Sequence, residues 1–248
     1  SLASATLVGY GLSGIVSSRY GYDIVFQIGA GLLVLGAVLG LTLPGRPRTG
    51  VTDVKPEATE RQKISDLLRR KDLVSPYLSV FAQYFTFGSV VTLLPLYVKD
   101  MGMDSLHVGM LLAAFAVIFI LVQMPMSRIS DRLGRLSTSA IGLAFGTVAL
   151  VLLPSTSVFA LMVVIMVVYG AAYGAIFPSI SAMVAESTIP EERGMATGIF
   201  HALLTSGVAV GALVAGWAGD SLGVESGLLL SPAVMVIALV VALVMRRQ

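Results

Sequence analysis

Apolar positions along this chain come in runs of bilayer length, separated by short polar breaks. Leu106 to Met126 holds one His and one Gln and no formal charge, and Pro154 to Ala185 runs for 32 residues without a charged side chain. A helix that crosses the hydrocarbon core needs about 20 predominantly apolar residues, because each residue advances it so little. The pattern predicts eight spans, over about 1–18, 23–43, 74–98, 106–126, 137–154, 157–185, 194–219 and 226–245. The sixth is long enough to tilt or to extend past the bilayer. The expected fold is therefore an all-α membrane protein, a bundle of about eight transmembrane helices.

One sizeable polar stretch interrupts this pattern, from Pro44 to Lys71. Its first part, Pro-Gly-Arg-Pro-Arg-Thr-Gly, has the composition of a linker, since Pro and Gly break regular structure. Its second part, Arg61 to Lys71, places Ile64, Leu67 and Leu68 on one helical face, bordered by Lys63, Arg69, Arg70 and Lys71. That arrangement suits an interfacial amphipathic helix, and equally a solvated linker helix. The chain divides accordingly into residues 1–43 with two spans, the linker 44–72, and residues 73–248 with six spans.

Composition agrees with the pattern. Hydrophobic residues make up 56% of the chain and charged residues 12%, with a mean hydropathy of +0.90. An ordinary soluble domain carries about 25% charged residues. The absence of cysteine removes any argument about redox compartment or thiolate metal sites. Charge matters here through its placement. With residues 44–72 set in the cytoplasm, 14 of the 16 Lys and Arg residues fall on that side, and only Arg19 and Lys99 lie outside. This positive-inside bias puts the C-terminal Arg246 and Arg247 in the cytoplasm. It also accounts for the net charge of +2 without a nucleic-acid partner. Ser1 opens inside an apolar stretch with neither Met nor a basic region before it, so the chain is expected to be cut from a longer protein.

A weak internal repeat supports that expectation. Gly9, Gly14 and Gly21 match Gly211, Gly216 and Gly223 at one constant offset of 202 residues, each triplet closing a span and leading into the next. Parallel repeats of this size build several transporter folds. On this reading spans one and two close a first half, spans three to eight form a second, and four helices lie upstream.

The most specific local signal is Ser127-Arg-Ile-Ser-Asp-Arg-Leu-Gly-Arg135, between spans four and five. It resembles the loop signature of the major facilitator superfamily, G-x-x-x-D-R-x-G-R-[RK], which recurs between helices two and three of each half. Asp131, Arg132, Gly134 and Arg135 match, while Ser127 and Leu136 depart from the pattern. Gly134 permits a tight bend, and Asp131 is expected against the positive amino end of a neighbouring helix. The plainer alternative is a topogenic basic loop. Thr188-Ile-Pro-Glu-Glu-Arg-Gly194 is similar to the P-x-x-R-G at the start of the family's helix eleven. Thr188 and Glu191 have capping-box spacing, and Pro190 suits a first helical turn. Glu186 and Arg193 flank this loop and are expected to pair, either within the same gate or as an ordinary surface ion pair. Gly9-Tyr-Gly-Leu-Ser-Gly14 resembles a degraded form of the G-P-x-x-G-G motif of drug–proton antiporters, with Tyr10 and Ser13 as departures. The resemblance covers the whole chain, as helices five to twelve of a twelve-helix plan, closest to drug and sugar efflux permeases.

That resemblance implies a function and its residues. In the family, helices seven, eight, ten and eleven face a central cavity. Polar groups inside a bilayer are costly and mark candidate sites. Gln83, Tyr84, Gln123, Tyr169, Tyr173 and His201 are accordingly the expected substrate-binding groups, and Phe81, Phe85 and Phe87 make the cavity aromatic. Each polar group has an alternative as a helix–helix hydrogen bond. Gln27 is a further intramembrane polar residue. His201 is the one titratable side chain expected well inside the membrane, suited to carrying protons or to a neutral hydrogen bond. Asp131, Arg132, Gly134, Arg135, Glu186 and Arg193 are the expected gating residues. GxxxG spacing pairs Gly170 with Gly174, Gly194 with Gly198, and Gly207 with Gly211, which lets helices approach closely. Pro95, Pro178 and Pro232 are expected to bend or end their helices.

The implied protein is a secondary active transporter in the plasma membrane. It would move a small organic solute by alternating access, as proton-coupled efflux, with no cofactor and no metal. Its partners would be the solute, protons, lipid and the missing N-terminal helices, with no nucleic acid. A metabolite uptake permease and a non-transporting scaffold or sensor are the alternatives. A membrane enzyme would need clustered nucleophile, base or metal ligands, and two distant His residues without Cys supply almost none.

Overall fold

The apolar runs fold as helices, and four of the five described breaks between them are shorter than expected. A computed structural model describes Val16 and residues 21–42 and 64–245, and among these residues there is no strand. The long helices are α1 (Tyr22–Thr42), α2 (Lys71–Asp100), α3 (Ser105–Leu133), α4 (Arg135–Leu152), α5 (Phe159–Glu186), α6 (Arg193–Leu222) and α7 (Val224–Met245). A 3-10 turn, Leu153–Ser155, extends α4. The helices α2 to α7 are long and apolar enough to cross a membrane, by length and composition, and α1 contains a shorter apolar stretch, Asp23–Leu39. Helices thus stand at seven of the eight predicted spans, six of them long and apolar enough to cross a membrane, and α3 runs seven residues past its expected end at 126. The first, together with Gly9, Gly14 and residues 44–63, lies outside the described residues. Pro95, Pro178 and Pro232 all sit inside helices and end none of them.

Only the last turns of the expected amphipathic linker helix lie among the described residues. Residues 64–69 are helical, and the chain breaks at Arg70 (φ −67°, ψ 120°) before α2 begins. Leu67 is buried against the bundle, while Ile64 and Leu68 on the same face of the turn stay exposed. Burial of a single Leu pins this turn against the bundle.

The helices α2 to α7 pack as two interlocked units of three, α2–α4 and α5–α7. The first helix of each unit packs on the second helix of the other, α2 on α6 and α5 on α3. The third helix of each packs on the first of the other, α4 on α5 and α7 on α2, while α4 meets α7 and α2 crosses α5. This reciprocal pattern is that of an inverted repeat about a pseudo-two-fold axis. By contrast α1 leaves Phe26, Leu33 and Leu41 exposed.

Glycine sets the two tightest contacts. A Cβ on Gly211 or Gly88 would run into backbone across the α2–α6 interface, at Phe85 and Val208 respectively, and one on Gly207 would come within 2.8 Å of the Phe81 carbonyl. On α5, a Cβ on Gly170 would lie 2.5 Å from the Phe115 carbonyl, and one on Gly174 2.9 Å from that of Phe119. Two of the three GxxxG pairs therefore mediate close helix contact, one at each pseudo-equivalent interface. The third pair, Gly194 and Gly198, faces open space.

The described members of the glycine repeat also agree in conformation. Gly21 and Gly223 have φ of 82° and 93° and stand immediately before α1 and α7. A positive φ at both places is a position glycine fills without steric cost.

Candidate functional site

At the crossing of α2 and α5, two side chains reach across to the opposite backbone. Gln83 Nε2 donates to the Tyr173 carbonyl at 3.1 Å, and Tyr173 OH donates to the Gln83 carbonyl at 3.1 Å. One turn along, Thr86 Oγ1 and Tyr169 OH lie 2.9 Å apart, and Thr86 also donates to the Gln83 carbonyl. All four residues are buried. Inside lipid such bonds hold helices in register, because the groups have no water to turn to.

Beside this clamp lies a continuous aromatic cluster. Tyr84 contacts Phe87, Tyr173 and Phe177 edge-on, with the Tyr173 ring centroid at 5.5 Å. Phe115 stacks with Phe87 at 5.7 Å and with Phe119 at 6.2 Å, and it meets Tyr169 and Tyr173 at 5.2 Å each. Phe177 continues to Phe200, and Phe200 to His201 at 5.8 Å. Phe115, Tyr169 and Tyr173 form a buried floor, while Tyr84, Phe87, Phe119 and Phe177 are only half-buried. No Asp or Glu occurs in the interiors of α2, α3, α5 or α6, where the acidic residues stand near the helix ends.

The structure thus brings Gln83, Tyr84, Tyr169 and Tyr173 together. His201 is exposed and touches the cluster only through Phe200. Gln123 is half-buried one turn beyond Phe119 and makes no hydrogen bond with a described residue. Gln27 is exposed on α1. Of the three phenylalanines expected to make the cavity aromatic, only Phe87 belongs to the cluster. Phe81 and Phe85 pair with each other at 6.1 Å, on the side of α2 that meets Gly207 and Gly211. Sequence reasoning missed Phe115, Phe119 and Phe177. The spacing Phe115/Phe119 and Tyr169/Tyr173/Phe177, four residues apart each time, carried that signal.

A second constellation joins α3, α4 and α5 at the end of the bundle that holds the Asp131–Arg135 motif. The turn there is one residue long: α3 ends at Leu133, Gly134 has φ 89°, and α4 starts at Arg135. Arg135 grips Glu186 with two nitrogens, Nε to Oε2 at 2.8 Å and Nη2 to Oε1 at 2.6 Å, and it also reaches Asp131 at 3.0 Å. Glu186 therefore pairs with Arg135 rather than with Arg193, which is exposed and makes no ion pair with a described residue. Asp131 likewise answers the Arg135 side chain. Arg132 is exposed. The capping box is not formed: Thr188 Oγ1 donates back to the Val184 carbonyl, and α6 starts only at Arg193, after Pro190. Close by, Arg70 pairs with Glu192 at 3.0 Å, tying the linker turn to the α5–α6 loop beside a cavity of about 320 Å³.

At the opposite end Asp104 caps α3, accepting from the Leu106 and His107 amides at 3.1 and 3.2 Å and lying 2.6 Å from His107 Nδ1. The His107 side-chain hydrogen bond, helped by these amides, holds the Asp104 carboxyl below the usual range.

A reciprocally packed bundle with an aromatic site at its central crossing and a charged clasp at one end matches one family description along its length. Residues 1–109 and 77–248 match the Major Facilitator Superfamily in two overlapping segments that together cover the chain. The chain belongs to the Major Facilitator Superfamily and is a multi-pass membrane protein, which sets aside the membrane-enzyme alternative. It is 22% identical over 150 residues to the quinolone resistance protein NorA of Staphylococcus aureus, covering 60% of this chain and 39% of that protein. It is 23% identical over 142 residues to multidrug resistance protein 1 of Bacillus subtilis, covering 57% of this chain and 36% of that protein. The match spans less than two fifths of the length of either relative.

Proposed function

We propose that this chain forms part of a secondary transporter that moves a small amphipathic organic molecule out of the cell by alternating access. The observation that carries this reading is the half-buried aromatic patch of Tyr84, Phe87, Phe119 and Phe177 over a floor of Phe115, Tyr169 and Tyr173. Such a surface offers ring faces and edges to a planar apolar body, with few polar groups to fix its orientation. It holds no cation for a phosphate or polyanion. The quinolone and multidrug resistance named for the two relatives supports efflux over uptake.

In this reading residues 73–248 form the second half of the transporter, residues 1–43 close the first, and 44–72 is the cytoplasmic linker. The remaining first-half helices belong to the same protein. Gln83, Tyr84, Tyr169 and Tyr173 line the substrate site, with Gln123 and His201 at its margin. Asp131, Arg132, Gly134, Arg135, Glu186 and Arg193 form the gate. The gate and the C-terminus face the cytoplasm of a plasma-membrane protein, as the placement of basic residues supports. A proton gradient drives export, with His201 or a carboxylate of the first half as the carrier.

The test is quinolone flux by the full-length protein in proteoliposomes under an imposed pH gradient. Gradient-driven flux is expected, and Tyr84→Ala should cut it by about ten-fold or more, an effect of roughly 1.4 kcal/mol, with folding intact. Flux indifferent to the gradient would remove proton coupling. No flux across a panel of aromatic amphipaths would favour a scaffold or sensor.

A further inference from the structure

The face of α2 that meets α5 carries more polar groups than its contacts use. Ser75, Ser79, Gln83 and Thr86 fall within an arc of about 80° on that helix, at 3.6 residues per turn. Gln83 and Thr86 bond to Tyr173 and Tyr169 of α5, so this is the arc turned towards α5. All four residues are buried, none more than 2% exposed. Yet Ser75 Oγ, Ser79 Oγ and Gln83 Oε1 have no hydrogen-bond partner among the described residues.

Two ordinary explanations fail. An inverted amide does not account for Gln83: its Nε2 faces the Tyr173 carbonyl, which only the nitrogen can serve as donor, so the oxygen is the unpaired atom. Nor are the serines typical of hydroxyls on this helix. Thr86, Ser89 and Thr92 each donate to a carbonyl three or four residues back, and Ser75 and Ser79 do not. A buried hydroxyl or amide oxygen without a partner costs free energy, and native structures rarely leave one unexplained. Here there are three, at positions i, i+4 and i+8.

Their spacing fits a bridging water. Four residues of helix advance by about 6 Å. A water molecule making two hydrogen bonds of about 2.8 Å spans nearly the same distance. We infer that Ser75, Ser79 and Gln83 form a water-binding seam along the α2–α5 crossing, with one water bridging each successive pair. The seam runs from the Arg70 end of α2 to the Gln83–Tyr173 clamp beside the aromatic cluster. It makes a hydrogen-bonded path through an otherwise apolar interface. It also lets α2 shift along α5 without leaving polar groups bare, because the waters can exchange partners. Nothing in this inference depends on which solute the protein carries, or on whether it carries one.

This chain contains no cysteine, so once any cysteine in the rest of the full-length protein is replaced, single substitutions report without background. Ser75→Cys, Ser79→Cys and Val80→Cys would be made in the full-length protein in membranes and exposed to silver ions, which pass where a water file passes. Val80 is the control, equally buried on the adjoining position of α2. Thiols blocked by silver are counted by their failure to take a maleimide after denaturation. Ser79→Cys and Ser75→Cys should be blocked at least roughly ten-fold faster than Val80→Cys, since accessibility to solvent governs thiol reactivity. Rates equal to the control would overturn the seam. A second readout covers variants that fold poorly. With bridging waters, Ser75→Ala and Ser79→Ala each lower the melting temperature, and the double variant loses less than the sum because they share a water. If the interface is dry, both substitutions leave the melting temperature unchanged or raise it, and the inference fails.

Discussion

At the scale of single residues, Arg135 does more joining than stabilising. Its guanidinium meets Glu186 through two nitrogens and Asp131 through one, which links the start of α4 to the ends of α5 and α3. The side chains of Glu186 and Asp131 are 60% and 55% exposed, so solvent screens both pairs. Exposed pairs of this kind contribute about 1 kcal/mol or less. Arg135→Gln should therefore shift thermal unfolding only slightly while removing most of the substrate flux, if the clasp is a gate. Exchanging the charges, Arg135→Glu with Glu186→Arg, should restore part of the flux. Flux that falls only as far as the folded fraction falls would make the clasp an ordinary surface contact. The residues of this clasp were legible in the sequence, but their partnership was not. Arg193 is near Glu186 along the chain, whereas Arg135 is 51 residues away and comes near only because α5 packs on both α3 and α4.

At the scale of helices, close approach rests on a few missing β-carbons. Gly211 and Gly170 sit at pseudo-equivalent interfaces, each against the backbone carbonyl of a phenylalanine on the facing helix. Backbone yields far less than a flexible side chain, so Gly211→Ala must push α6 away from α2. The expected cost is about 1–3 kcal/mol, the range for overpacking a filled core. Gly198→Ala lies on the same helix with open space around it, and it should be neutral or raise stability by up to about 1 kcal/mol through helix propensity. Thermal unfolding of the two variants side by side separates packing from propensity; equal shifts would count against the interface. All three GxxxG pairs look alike in sequence. Spacing shows that two glycines share a face, but which face meets a neighbour depends on how the helix is rotated. The same limit left Phe81 and Phe85, which pair with each other apart from the cluster, indistinguishable from Phe87, and hid Phe115, Phe119 and Phe177. Span positions were legible because bilayer thickness fixes helix length whatever the neighbours.

At the scale of the whole molecule, the reciprocal packing gives two ends with different chemistry around one central crossing. The motif end holds the Arg135–Glu186 clasp, which spans α3, α4 and α5, and the Arg70–Glu192 pair, which spans the linker turn and the α5–α6 loop. The opposite end has a capped helix start at Asp104 and a cavity of about 350 Å³ lined by Tyr97, Asp100 and Glu225 among others. Alternating access requires one end to open while the other closes around a fixed centre. If the motif end opens within this bundle, between the linker turn and the α5–α6 loop, the Arg70–Glu192 contact must break and re-form in every cycle. With any cysteine in the rest of the full-length protein replaced, the absence of cysteine from this chain makes this direct to examine. Arg70→Cys with Glu192→Cys, bridged by a short bifunctional methanethiosulfonate, should arrest flux, and a reductant should restore it. Each single cysteine variant treated in the same way should retain flux, since removing one exposed pair costs little stability. A bridged protein that transports at the rate of the unbridged one would show that the linker turn and the α5–α6 loop move together. The opening would then have to be sought between this bundle and the other half of the protein.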